Sequence, residues 1–195
     1  PFILGAEIAG VVRSAPDGAE VGPGDRVVGL TMLSGGMAEV AMLAPDRAFK
    51  LPDNVSFEAG AGLLFNDLTM YFALTVRGRL QQGETVLVHG AAGGIGTSTL
   101  RLAPVLGASR TIAVVSTEEK GRIATAAGAT DVVLAEGFKD AVKELTHGRG
   151  VDMVVDPVGG DRFTDSLRSL APGGRLLVVG FTGGEIPTVK VNRLL

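Results

Sequence analysis

The chain has 195 residues, 46% of them hydrophobic and 20% charged. That is a globular composition, incompatible with disorder, and long enough for one large domain or two small ones at roughly 100 to 200 residues each. Eighteen Lys and Arg against 21 Asp and Glu give a net charge of −3, without the basic excess of a nucleic-acid footprint. The absence of cysteine excludes disulfides, thiolate zinc sites, iron–sulfur clusters and cysteine nucleophiles.

No run nears the roughly 20 apolar residues that span a bilayer, and Pro1-Phe2-Ile3-Leu4-Gly5 offers no charged region ahead of an apolar one. The expectation is a cytoplasmic protein with neither a membrane nor a nucleic-acid partner.

The first sixty or so residues read as short strands at Val11-Val12, Arg26–Leu30, Ala38–Met42 and Arg47–Leu51. Turn chemistry separates them at Pro16-Asp17-Gly18, Gly22-Pro23-Gly24-Asp25, Ser34-Gly35-Gly36 and Pro52-Asp53-Asn54. This predicts a small all-β region. From Ser56 to about Leu80, Ala59, Leu63, Leu64, Leu68, Tyr71, Phe72 and Val76 recur at three- and four-residue steps, which predicts a helix.

Five apolar runs follow, at Thr85–His89, Thr111–Val115, Asp131–Leu134, Val151–Val155 and Arg175–Gly180, with starts 20 to 26 residues apart. That interval fits a strand, a crossover helix and the next strand. Helical stripes fill the gaps: Ile95, Thr99, Leu102 and Leu106; Phe138, Ala141, Val142 and Leu145; Phe163, Leu167 and Leu170. Val-rich strands without polar alternation are buried on both faces, so the prediction is an α/β domain with a doubly wound parallel sheet.

Directly after the first of these strands stands His89-Gly90-Ala91-Ala92-Gly93-Gly94-Ile95-Gly96. A glycine-rich turn between strand and helix binds a dinucleotide pyrophosphate on helix-terminal amides. Aligning Ala91-x-Gly93-x-x-Gly96 with G-x-G-x-x-G assigns Gly93 to close approach of the ligand and Gly96 to packing of helix on strand. At the end of the second strand, Ser116, Thr117 and Lys120 would accept a ribose 2′-phosphate, which favours NADPH. Two alternatives stand beside this. Ser116 with Glu119 forms a capping box, and Glu118 or Glu119 reaching the ribose hydroxyls would favour NADH.

Leu4–Val12, Gly24–Gly29 and Gly35–Glu39 resemble the GroES-like N-terminal domain of medium-chain dehydrogenases/reductases. Val88–Gly96, Asp156–Gly160, Leu170–Arg175 and Val179-Gly180-Phe181 resemble the zinc-independent NADPH:quinone oxidoreductase, or zeta-crystallin-like, branch of that superfamily. The resemblance implies a partial GroES-like catalytic domain over 1–64 and a Rossmann NAD(P)-binding domain over 65–195 that lacks its last strand. It also implies a chain truncated at both ends. It assigns Ala92, Gly93, Gly94, Ile95 and Gly96 to the pyrophosphate, Ser116, Thr117 and Lys120 to the 2′-phosphate, and Thr69, Gly180 and Phe181 to the nicotinamide end. A tyrosine near the end of the third strand in several bacterial relatives is Ala135 here. At the two zinc-ligand positions of the related alcohol dehydrogenases stand Ala6 and Phe65, so no metal is expected, and His89 and His147 lie too far apart in sequence to compensate.

The implied activity is hydride transfer from NADPH to a quinone or another conjugated carbonyl, by a homo-oligomer. No catalytic residue is assigned, because the family's substrate-facing polar residues lie mostly outside this chain. An enoyl or alkenal reductase and a non-enzymatic dinucleotide-binding protein remain alternatives. A short-chain dehydrogenase does not, since Tyr71 is followed four residues later by Thr75 and more than eighty residues precede the glycine loop. P-loop, G-x-S-x-G and H-E-x-x-H patterns are absent from the sequence.

Overall fold

The computed structural model describes residues 3–31 and 34–193, and its contacts divide the chain into two compact units, Pro1–Thr69 and Met70–Leu195. In the first unit, β1 (Glu7–Val11), β2 (Arg26–Leu30) and β3 (Ala48–Lys50) form an antiparallel sheet in that order. The register sets Glu7 opposite Leu30 and Val28 opposite Phe49. Val28, Leu51 and Leu64 form its small core, with Ala9, Leu30 and Val55 against them.

The predicted strand Ala38–Met42 is not one. These residues run as bends and coil, and Met42 is 93% exposed. An alternating run becomes a strand only when a neighbour offers its backbone. Here the pairing is taken one step earlier, where Gly35, Gly36 and Met37 donate to the carbonyls of Ile3, Gly5 and Leu4.

The predicted helix from Ser56 to Leu80 is also altered. Ser56 caps α1 (Phe57–Gly60) by accepting from the Ala59 amide at 3.2 Å. A π-helical turn follows at Leu64–Leu68, then α2 (Thr69–Phe72), then a second π-helical turn at Ala73–Arg77. Each i→i+5 turn rotates the buried face away from a 3.6-residue stripe. Met70, Ala73 and Leu74 are therefore buried, whereas Leu63, Leu68, Tyr71, Phe72 and Val76, expected inside, are exposed.

The second unit carries β4 (Thr85–Val88), β5 (Arg110–Val115), β6 (Asp131–Leu134), β7 (Val151–Asp156) and β8 (Leu170–Val178). They pair in parallel in the order β6-β5-β4-β7-β8. Helices α3 (Gly94–Val105), α4 (Glu118–Ala126), α5 (Phe138–Leu145) and α6 (Phe163–Arg168) make the crossovers. Alternate side chains serve opposite faces: Val86, Val88, Ala113 and Val115 pack with Leu100, Ala103 and Ala124, while Leu87, Ile112 and Val114 pack with Phe138 and Val142. This is the predicted doubly wound sheet, buried on both sides. Strand order reverses between β4 and β7, and sheets of this kind bind ligands beyond the carboxyl ends of the strands at such a switch point.

At the opposite end of the sheet, side-chain ion pairs tie the strands together. Both guanidinium NH groups of Arg175 donate to the Glu84 carboxylate. Asp152 accepts from the Thr85 amide at 2.8 Å and from Arg149 at 2.6 Å. The Arg175 guanidinium holds the Glu84 carboxyl below its ordinary value of 4.5, against the opposing effect of burial. A lowered folded-state pKa contributes stability above the unfolded value and loses it as pH falls through the folded one. Glu84→Gln is expected to cost about 1–2 kcal/mol at pH 7 in urea denaturation. The gap between variant and parent should close below pH 4.5; a gap that persists there would remove the ion pair as its cause.

Candidate functional site

The glycine-rich turn leaves β4 at His89 and enters α3 at Gly94, which puts it at the carboxyl end of the sheet beside the switch in strand order. Gly90 takes a φ of 57°, where a side chain is strained. Gly93 is the N-cap of α3, and no side chain caps the helix or places an acid in its first turn. Gly93 and Gly94 are exposed, Ala92 is half-buried, and Ile95 turns its half-buried side chain onto the core. The first amides of a helix have no intrahelical partner. At this end they face outward uncompensated, with the positive end of the helix dipole behind them.

Gly96 shows why the helix can begin there. A Cβ on it would stand 2.4 Å from the Gly90 carbonyl oxygen and 2.5 Å from the Ala91 Cα, both backbone atoms. Gly96→Ala must push helix and strand apart and is expected to cost about 1–3 kcal/mol in chemical denaturation. An unchanged midpoint would mean that the close approach does not exist in solution.

At the end of β5 the chain passes through Ser116 and Thr117 into α4. The Lys120 ammonium donates to the Ser116 hydroxyl at 3.1 Å, and all three residues are exposed. Ser116 does not cap the helix as the capping-box alternative expects. Thr117 does, in extended conformation, its hydroxyl accepting from the Lys120 amide at 3.3 Å. Ser116 keeps its hydroxyl for Lys120, so hydroxyl and ammonium point to one spot at the helix start. Glu118 and Glu119 occupy the same first turn. A hollow of about 570 Å³ flanks α4, lined by Val115, Glu118, Arg122, Val132 and Leu134 among others.

Gly180 and Phe181 follow β8, the Gly180 amide donating to the Asp156 carbonyl at 3.4 Å, and Phe181 is 40% exposed. Thr69, the last residue of the first unit, gives its hydroxyl to the Phe65 carbonyl of its own helical run. Within the second unit the structure thus collects the glycine turn, the Ser116–Lys120 pair and the Gly180-Phe181 segment at carboxyl ends of strands.

Sequence reasoning assigns no role to the polar group beneath this surface. His89, Asp156 and Ser166 are all fully buried. The His89 Nε2 lies 2.8 Å from the Ser166 hydroxyl, which itself donates to the Arg162 carbonyl. The imidazole is therefore the donor, and its bare Nδ1 finds no partner. Its ring meets Phe138 edge-on at 4.8 Å. Burial pushes the His89 pKa down from 6.5 to about 4, although Asp156 pulls it upward. A histidine that titrates lower when folded stabilises fully above its unfolded value and progressively less as pH falls toward the folded one. Between pH 6.5 and 4 the protein should lose about 3 kcal/mol through this ring. His89→Gln should lack that part of the slope in urea denaturation, and an identical slope would remove His89 as its source.

A family model described as zinc-binding dehydrogenase matches residues 94–195. Along its whole length the chain is 40% identical to the quinone oxidoreductase-like protein 2 homolog of Nematostella vectensis, covering 54% of that protein. A probable oxidoreductase from Mycobacterium abscessus superposes on 92% of this chain with a TM-score of 0.86 and 47% identity, over 56% of its own length. The Escherichia coli quinone oxidoreductase complexed with NADPH superposes on all of it with a TM-score of 0.87 and 33% identity, over 60% of its own length. The chain therefore spans little more than half the length of these proteins.

The residues present do not fit the zinc in the family model's description. Ala6 and Phe65 carry no donor atom, and among the described residues no group of three or more His, Cys, Asp or Glu could hold a metal ion.

Proposed function

The chain belongs to the zinc-independent quinone oxidoreductase branch of the medium-chain dehydrogenases/reductases, and from that premise we propose that it binds NADPH and serves hydride transfer to a quinone or another conjugated carbonyl. The observation that carries this reading is the uncapped start of α3, where exposed Gly94 presents its backbone amide with no acid nearby in the helix and Gly93, its own amide bonded to the Gly90 carbonyl at 2.9 Å, leaves the approach clear of a side chain. That amide, with those of Ala92, Ile95 and Gly96, would hold the pyrophosphate, and Gly93 would let it approach the backbone closely.

Ser116 and Lys120, already within 3.1 Å of one another, would hold the 2′-phosphate through charge-assisted hydrogen bonds from a hydroxyl and an ammonium, with Thr117 fixing the helix start between them. Gly180 and Phe181 would border the nicotinamide. Bound there, the dihydronicotinamide supplies the hydride; the protein supplies position, holding donor and acceptor in reacting geometry and keeping water from between them. The names of the relatives point the same way, since quinone oxidoreductases recur among them and one is complexed with NADPH.

Calorimetric titration of the purified chain with NADPH and NADH tests the cofactor, and NADPH consumption with a panel of quinones and enals tests the acceptor. NADPH is expected to bind more tightly, with turnover on at least one quinone. Tight binding without turnover on any acceptor would move the reading to a dinucleotide-binding protein. Lys120→Ala should weaken NADPH roughly ten- to a hundredfold, the worth of a charge-assisted hydrogen bond, and leave NADH within about twofold. Equal losses for the two cofactors would overturn the phosphate assignment.

A further inference from the structure

Asp156 ends β7 beside His89, the next pair in the register that sets Val88 against Val155. Its side chain is fully buried. One carboxylate oxygen accepts from the Val158 amide at 2.8 Å and from the Gly159 amide at 2.9 Å, which folds Pro157–Gly160 into a tight turn. The other oxygen is buried with no partner. A turn can be capped by an exposed Asp, Asn or Ser at less cost; a buried, half-satisfied carboxylate calls for an explanation in function.

The turn touches both ends of the dinucleotide site. On one side, a Cβ on Gly90 would meet Val158 at 3.3 Å and Pro157 at 3.5 Å, so the glycine loop rests against it. On the other, the Thr182 and Gly183 amides donate to the carbonyls of Pro157 and Val158 at 3.0 and 2.9 Å, and the Gly160 amide donates to the Glu185 carbonyl at 3.2 Å. The Thr182 hydroxyl adds a bond to the Pro157 carbonyl at 3.0 Å. A Cβ on Gly159 would stand 3.0 Å from the Phe181 ring. The turn is thus a spacer between the loop after β4 and the segment after β8.

We propose that Asp156 is a positioning residue for the dinucleotide: through the Pro157–Gly160 turn it sets the distance between the pyrophosphate loop and the Gly180-Phe181 segment. This rests on the cofactor reading above and deepens it. Asp156 touches no part of the ligand. It acts on ligands long enough to bridge both segments and is indifferent to one that stops short of the Gly180-Phe181 segment, because Ser116 and Lys120 are held by β5 and α4 and the glycine loop by its close contact with α3.

The test is calorimetry of the full chain and its Asp156→Ala and Asp156→Asn variants with NADPH and with adenosine 2′,5′-bisphosphate. Asp156→Ala should lose tenfold or more in NADPH affinity and keep the bisphosphate within about threefold, which also certifies its fold. Asp156→Asn retains an oxygen for the two amides and should bind both ligands within about threefold of the parent. An Ala variant that binds NADPH normally, or that loses both ligands together, overturns the proposal, as does an Asn variant that fails alongside it. A parent chain that binds neither ligand instead overturns the cofactor reading, and this inference with it.

Discussion

The second unit is organised around one steric constraint, the contact of α3 with the turn that precedes it. Where a Cβ on Gly96 would come within 2.4 Å of the Gly90 carbonyl, helix and strand backbones meet with nothing between them. That closeness starts the helix at the carboxyl end of β4. It also seats Leu100 and Ala103 on Val86 and Val88 in the core below, and it leaves the first amides of α3 facing outward. A larger residue at Gly96 would disturb core packing and anion site together, because both depend on the same separation.

Buried polar groups stand at both ends of the parallel sheet. At the amino ends, Glu84 with Arg175 and Asp152 with Arg149 make charge-assisted hydrogen bonds that clamp β4, β7 and β8, while the Arg175 Nε is buried without a partner. At the carboxyl ends, His89 and Asp156 are buried with one polar atom each left unpartnered. An unsatisfied buried polar atom costs about 1–3 kcal/mol; at the amino ends it belongs to a guanidinium that also bridges to Glu84, whereas at the carboxyl ends the orphaned atoms belong to His89, directly after β4, and to Asp156, the last residue of β7.

The sequence reveals the parallel sheet almost completely. Four of the five strands fall within a residue of their apolar runs, because buried strands need continuous Val, Ile and Leu, and that requirement is visible without any partner; β8 begins five residues before its run, at Leu170, which the helical stripe claims. The glycine loop is legible for a similar reason: its demands on backbone space are met by residues adjacent in sequence. Ala38–Met42 is misread because pairing is decided by a neighbour that local alternation does not reveal. The helical run after Ser56 is misread in phase, since two π-helical turns shift which residues face the core and no composition signal marks them. Asp156 is visible as part of a resembling motif, yet its bonds to the Val158 and Gly159 amides emerge only from the fold. An Asp two and three residues before potential amide partners is a turn signal that sequence could have offered.

The first turn of α4 sets two demands against each other. Glu118 and Glu119 favour the positive end of the helix dipole and help α4 begin. The same two carboxylates oppose a phosphate at that spot, and the helix alone would therefore prefer a ribose hydroxyl. In the proposed reading the side chain of Lys120 would shift the balance, since it reaches back four residues to the Ser116 hydroxyl. Thr117 makes this geometry available by taking over the cap, which frees the Ser116 hydroxyl. In the proposed site, cofactor choice would thus hang on a division of labour between two adjacent hydroxyls, one spent on the backbone and one left for a ligand. The glycine loop, which offers backbone amides alone, would be indifferent to that choice.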